Sequence, residues 1–291
     1  GGKVQTVKNE AGIFELGPNA FLDPQPALAE LLEISGVELV HADSSAKRRY
    51  VCHDRVLHEL SAHPWKLYRS GLISGLGVLR VLRERFVGQR RSDHGNLPTD
   101  GWGDESVEAF VHRRFGPEAA AIFAKPMVSG VFAGDPRRLS ISACFPKISA
   151  LEAKHGSLIK GLIATRRSGA AAPELHSPRD GMQSLPRSLA ERAPFQIRPS
   201  TKVTAIRSNS QTWTISIDGE GSIEASAVIV ATPAAAAANL LSDHSKAAHR
   251  ALAKIVSPHL AVANLVYDAA DSTRVPKGFG ALHTGLAALA Y

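Results

Sequence analysis

The stretch Pro126-Met127-Val128-Ser129-Gly130-Val131-Phe132-Ala133-Gly134-Asp135-Pro136 decides how this chain is read. A helical pattern enters it and is expected to stop near Val128-Ser129-Gly130. Gly130 to Pro136 then reads as a loop, because glycine reaches left-handed backbone at no Cβ cost and proline does not continue a helix. Taken alone, Gly130 and Gly134 suit helix caps beside Asp135-Pro136 as well as they suit a loop facing a ligand. Leu139 to Lys154 is the next expected helix.

The pattern stays helical on both sides. Asp104 or Ser106 is placed to cap a helix whose apolar stripe is Val107, Phe110, Val111 and Phe115, ended by Gly116-Pro117. Gly156-Ser157 starts another, so residues 104 to 167 form a helical block. Before it, Trp65 to Arg91 is basic and amphipathic, with Leu72, Ile73, Leu76, Leu79, Val81, Leu82 and Phe86 set among Lys66, Arg69, Arg80, Arg83, Arg85, Arg90 and Arg91. Such a stretch fits ordinary surface helices or docking on an anionic membrane, where apolar burial and basic charge add. Residues 92 to 103 read as a loop.

Toward both ends the periodicity becomes that of strands. Gly12 to Leu16 alternates and runs into a turn at Gly17-Pro18, and Arg49 to Leu60 reads as a hairpin. Asp23 is expected to cap a helix over Pro24 to Ile34. After an Ala/Pro/Ser linker at 168 to 178 come expected strands at Gln196 to Arg198, Val203 to Arg207, Trp213 to Ile217 and Ile223 to Val230. Helices follow over Pro233 to Leu241 and Lys246 to Ile255. The fold class is α+β.

Of the 291 residues, 44% are apolar and 21% charged, which suits a globular chain with a sizeable core. The formal charge of +7 is compatible with an acidic small molecule or an anionic surface. Nucleic acid is excluded as an expectation, since no zinc finger, RNA-binding consensus or aromatic-interleaved basic strand occurs. Cys52 and Cys144 match no metal-ligand spacing and read as reduced thiols of a cytoplasmic protein. His53, His58 and His63 are spaced suggestively, but no metal is assigned. No run approaches the roughly 20 apolar residues of a spanning helix.

Four segments together resemble the protoporphyrinogen oxidase family within the flavin amine-oxidase superfamily. These are Gly1-Gly2-Lys3 with Gly12 to Asn19; Glu105-Ser106-Val107 to Phe115-Gly116; the Pro126 to Pro136 stretch continuing through Phe145-Pro146-Lys147 to Gly161; and Asp180-Gly181-Met182-Gln183-Ser184-Leu185-Pro186, followed by Val203 and Ala231-Thr232-Pro233. The resemblance implies a partial FAD-binding, Rossmann-like domain interleaved with a β-rich substrate domain and a helical, membrane-facing domain. It divides the chain into 1–48 (FAD), 49–63 (substrate hairpin), 64–167 (helical), 168–240 (FAD and β segments) and 241–291 (substrate).

It also implies FAD contacts at Gly1, Gly2, Lys3, Thr6, Gly17, Pro18, Asn19, Val203 and Thr232. Substrate contacts are implied at Arg49, Gly130, Gly134, Met182 and Leu185. Arg49 would clamp a propionate carboxylate, as a guanidinium can bidentately. Read without the resemblance, Gly1, Gly2 and Gly17 are also turn glycines, Arg49 a solvated arginine, and Met182, Leu185 and Val203 core residues. The implied reaction is oxidation of protoporphyrinogen IX to protoporphyrin IX with oxygen as acceptor, in the cytoplasm with peripheral contact to the cytoplasmic membrane. No catalytic acid or base is assigned, because the cofactor carries the difficult chemistry.

The chain departs from that pattern in places. Gly1-Gly2 reads as a cut edge, with the G-x-G-x-x-G turn expected before it and a C-terminal portion expected after residue 280. Lys3 replaces the usual arginine. The isolated chain is therefore expected to be a poor oxidase. Coproporphyrinogen III oxidation, another amine-oxidase-like activity, and non-catalytic tetrapyrrole or membrane binding stand as alternatives.

Overall fold

A computed structural model describes residues 2–61, 64–88, 104–169, 174–209, 211–268, 270, 277–284 and 289–290. It is a mixed helix-and-sheet fold. In chain order, β1 (Thr6–Asn9) and β2 (Gly12–Glu15) form a hairpin in the register Thr6↔Glu15. Then come β3 (Phe21–Leu22), α1 (Pro26–Ser35), β4 (Leu39–His41), β5 (Arg49–His53) and β6 (Val56–Glu59). The helical stretch holds α2 (Pro64–Arg69), α3 (Gly75–Arg83), a 3₁₀ turn at Glu84–Phe86, α4 (Val107–Phe115), α5 (Pro117–Ala119), a π turn at Ala120–Ala124, α6 (Lys125–Phe132), α7 (Ile141–Cys144), α8 (Pro146–His155) and α9 (Leu158–Arg167). The remainder is β7 (Leu175–Pro178), α10 (Ser184–Glu191), β8 (Val203–Ser208), β9 (Trp213–Ile217), β10 (Gly221–Ala225), α11 (Ala234–Leu240), α12 (Lys246–Ala253), β11 (Gly280–His283) and β12 (Leu289–Ala290).

Two sheets join residues distant in sequence. Strand β7 pairs antiparallel with both β3 and β4, and β11 runs parallel to β5 with Gly280 opposite Arg49. The third larger sheet, β10-β9-β8, is a local meander.

The helical block holds the largest core. Ser106 caps α4, its hydroxyl accepting from the Ala109 N–H at 3.2 Å, and Gly116 ends that helix with φ at +91°. Ser157 caps α9 in the same way. The stripe Val107, Phe110 and Val111 packs against Ala124, Val128, Ile141 and Leu158. Each large apolar side chain so buried contributes about 1.5–3 kcal/mol. A smaller cluster, Leu72, Ile73 and Ile122, sits under α2 and α3 and shares Phe123 with the first.

A polar network ties these parts together. Glu84 and Arg114 are fully buried and bonded at 3.0 Å. The Glu84 carboxylate also accepts from the Ser157 hydroxyl at 2.6 Å and the Leu158 N–H at 2.9 Å, at the start of α9. Arg114 donates further to the carbonyls of Val87 and Gly156 and to Glu152. Arg113 bridges Glu105 and Glu152, which raises its pKa above the usual arginine value. Nearly every charge is thus matched, as burial demands.

Several expectations are corrected. Helix α6 does not stop at Gly130 but runs to Phe132, with Ala133 (φ +49°) as its left-handed cap. The extra residues let Phe132 meet Phe145 edge to face at 5.4 Å. Leu139 to Lys154 is two helices, broken where Phe145 precedes Pro146. Asp23 does not cap α1, whose N-cap is Gln25; its carboxylate instead binds His176 at 2.9 Å and the Glu174 N–H at 3.2 Å. Gln196 to Arg198 lies outside any strand, between Pro194 and Pro199. The strand expected over Ile223 to Val230 ends at Ala225, and Ile229 beyond it is 92% exposed. The loop expected at 92 to 103, together with His63, Arg90 and Arg91, lies outside the described residues.

Candidate functional site

The first hairpin is locked to the turn before α10. Thr6 and Glu15 are directly opposed, so their side chains share one face. The Thr6 hydroxyl donates to Glu15 at 2.8 Å and accepts from the Gln183 N–H at 3.0 Å. The Thr6 N–H donates to the Gln183 side-chain oxygen at 3.0 Å, and the Met182 N–H to Glu15 at 2.8 Å. Gly181 has φ at +89°, and a Cβ there would strike the Thr6 methyl. Only glycine fits this turn. Lys8 adds an exposed ion pair to Asp180 at 2.7 Å, holding that carboxyl below the usual carboxylate range.

This junction brings Thr6, Met182 and the Gly17 turn to one place. A Cβ at Gly17 would strike the Lys3 carbonyl oxygen, so this glycine is required by the chain's own backbone. Gly2 has φ at +65° and open space where a Cβ would be, while Lys3, Pro18 and Asn19 are exposed. Gly1 lies outside the described residues. Met182 is buried and Leu185, in the first turn of α10, is half-buried.

The other expected residues fall in two further groups. Arg49 is exposed at the start of β5, its guanidinium 5.4 Å from the Phe279 ring centroid. Helix α6, carrying Gly130, touches β11, the strand paired with β5. Gly134 follows α6, and a Cβ there would crowd the Leu139 side chain. Val203 is half-buried in β8 beside a register shift, and Thr232 is exposed just before α11, which touches β8.

The fit to a flavin dinucleotide is partial. Gly2 has open space where a Cβ would stand, and Pro18 and Asn19 beside the Gly17 turn are exposed, so a large planar group can approach there, while the Cβ side of Gly17 is taken by the Lys3 carbonyl. Beside the hairpin lies a cleft of about 700 Å³ that includes Thr6, Gln183, Arg187 and Arg192. Lys8, Arg187 and Arg192 meet Glu38, Asp180 and Glu191 around it, so it is no dedicated phosphate cradle.

Sequence reasoning missed Glu15 and Gln183 as the joining groups, and the Glu84–Arg114 pair altogether. Glu84 stands as a lone acid between Arg83 and Arg85, a signal that was available.

The family profile described as flavin containing amine oxidoreductase matches residues 1–288. Protoporphyrinogen oxidase 1 of Arabidopsis thaliana is 30% identical over 97% of this chain and 56% of its own length. The human protoporphyrinogen oxidase is 30% identical over 97% and 62%. Coproporphyrinogen III oxidase of Bacillus subtilis is 28% identical over 86% and 54%. The chain spans somewhat over half the length of these curated relatives. A solved structure from Exiguobacterium sp., described as a candidate protoporphyrinogen oxidase, superposes with a TM-score of 0.68 at 23% identity, covering 87% of this chain and 55% of that one, which shows the fold alone. By its match along nearly all its length, the chain belongs to the flavin containing amine oxidoreductase family.

Proposed function

We propose that this chain serves the FAD-dependent oxidation of a porphyrinogen, protoporphyrinogen IX to protoporphyrin IX with oxygen as acceptor. The observation that carries this is the match of relatives named for that reaction along 97% of the chain, through both the Thr6–Gln183 junction and the Arg49 strand. Coproporphyrinogen III is the second reading, favoured by the B. subtilis relative.

FAD, when bound, supplies the acceptor for hydride and passes electrons to oxygen. The chain's own residues bind and orient. Gly2 and the turn Gly17 to Asn19 would meet the cofactor, and Val203 and Thr232 contribute from the β8–α11 side. Arg49 pairs with a propionate, while Gly130, Gly134, Met182 and Leu185 line the macrocycle's surroundings. Released protons pass to solvent.

In this reading 1–48 and 168–240 build the FAD side, supported by the pairing of β7 with β3 and β4. Residues 49–63 and 241–291 build the substrate side, supported by the β5–β11 pair. The helical part at 64–167 faces a membrane on the cytoplasmic side. Leu76, Leu79, Leu82 and Phe86 are exposed beside Arg80, Arg83 and Arg85, a combination suited to an anionic surface. No described helix is long and apolar enough to cross a membrane.

The test loads the chain with FAD, desalts it, and records flavin absorbance, then porphyrin fluorescence after adding each porphyrinogen. Retained flavin, with porphyrin binding weakened at least tenfold in Arg49→Ala, supports the reading. A folded chain that holds neither flavin nor porphyrin overturns it.

A further inference from the structure

Helix α3 is pinned at both ends by carboxylates. At its start, the Ser74 N–H and hydroxyl donate to Glu118 at 2.6 and 2.8 Å. At its end, Glu84 is buried against Arg114 and Ser157. Between these clamps the two apolar clusters share Phe123 but do not close on each other. A hollow of about 280 Å³ remains, lined by Leu67, Val81, Phe110, Phe115, Phe123 and Met127 among others, with Ser61 its single polar side chain. Interiors otherwise pack without such space, and apolar cavities stay dry until an apolar guest enters.

Volume and charge narrow the guest. Benzene, with six carbons, occupies a cavity of about 150 Å³, so this hollow takes roughly ten carbons. A tetrapyrrole ring needs roughly 600 Å³ on the same scale and does not fit. The helices that roof the hollow carry Lys66, Arg69, Arg80 and Arg83 on exposed positions, in a chain of net charge +7. That surface favours an anionic end over a cationic one.

We propose that the hollow beneath α3 binds the hydrocarbon chain of a medium-chain fatty acid, its carboxylate left at the surface among the basic residues of α2 and α3. The two carboxylate clamps keep the hollow open, because closing it would strip Ser74 or Arg114 of bonded partners.

The test is calorimetric titration of the 291-residue chain with decanoate, butyrate and decyltrimethylammonium, with thermal unfolding as a check on folding. Decanoate is expected to bind at one site per chain, and at least tenfold more tightly than either other probe. Ala119→Leu and Val81→Phe fill the hollow from α5 and from α3 and are each expected to cut decanoate affinity at least tenfold without lowering the unfolding midpoint. Leu79→Ser, on the exposed face of α3, is expected to leave binding intact. Several decanoates bound per chain and lost in Leu79→Ser would mean surface adsorption and overturn the proposal. Equal decanoate affinity in a folded filling variant overturns it too, as does binding to phosphatidylglycerol vesicles with none to decanoate.

Discussion

The helical block at 104–167 and the segments at 226–231 and 255–267 are all rich in apolar residues, yet they fold oppositely. In the block, Val107, Phe110 and Val128 are buried to within a few per cent. In the segments, Ile229 is 92% exposed, and Val256, Leu260 and Leu265 are each more than 70% exposed, with no strand or helix assigned at any of them. A helix closes its backbone hydrogen bonds within itself and needs only a neighbour for its apolar stripe. A strand needs a partner for its backbone as well. Apolar sequence therefore becomes core only where the chain brings up the opposite face.

The sharpest way to break the contrast is Glu84→Ala. It leaves Arg114 buried with Glu152 as its remaining acidic partner and strips Ser157 and the Leu158 N–H of their acceptor, and should cost about 3 kcal/mol, read as a lower urea midpoint. A shift below about 1 kcal/mol would show that the network does not hold the block. Acid acts on the same network. Burial pushes the Glu152 carboxyl up, but the bonds from Arg113 and Arg114 outweigh it and hold its pKa below the ordinary glutamate value. Its contribution is present above the ordinary carboxylate pKa and is lost as pH falls through the lowered one. Circular dichroism against pH should show the helices weakening there first, while the exposure of Ile229 stays unchanged.

Gly181→Ala should cost about 1–3 kcal/mol, since the new methyl meets Thr6 in a left-handed turn. Hydrogen exchange should quicken at Thr6 and Gln183 and spare α4. The smallest expected effect is Ile229→Thr, within about 0.5 kcal/mol, because nothing packs on a side chain so exposed. Reduced self-association in light scattering would be its signature.

Local features were legible in the sequence. The cap at Asp104 or Ser106, which the structure gives to Ser106, the helix start at Gly156-Ser157, the Gly116-Pro117 stop and the Arg49 to Leu60 hairpin all rest on neighbours a few residues apart, and the structure has each. What was hidden depends on distant partners. Asp23 leaves its helix for His176, 153 residues on, and Thr6 meets Gln183 across 177. Gly130 stayed helical because Phe132 had Phe145 to reach. Strand periodicity at Val228 to Val230 was real, but no described strand pairs with it. For the site, the same division holds: Gly17 was visible as a turn, but not that its missing Cβ makes room for the Lys3 carbonyl.

The run from Ile255 to Tyr267 has one more consequence. Endoproteases need solvent-accessible chain free of helix and strand pairing, which describes this run and not the helices around it. A brief digestion with chymotrypsin should therefore cut first at Leu260, Leu265 or Tyr267, releasing a C-terminal piece while the block from Val107 to Arg167 stays whole. The cleavage map would mark where this fold is strung rather than packed.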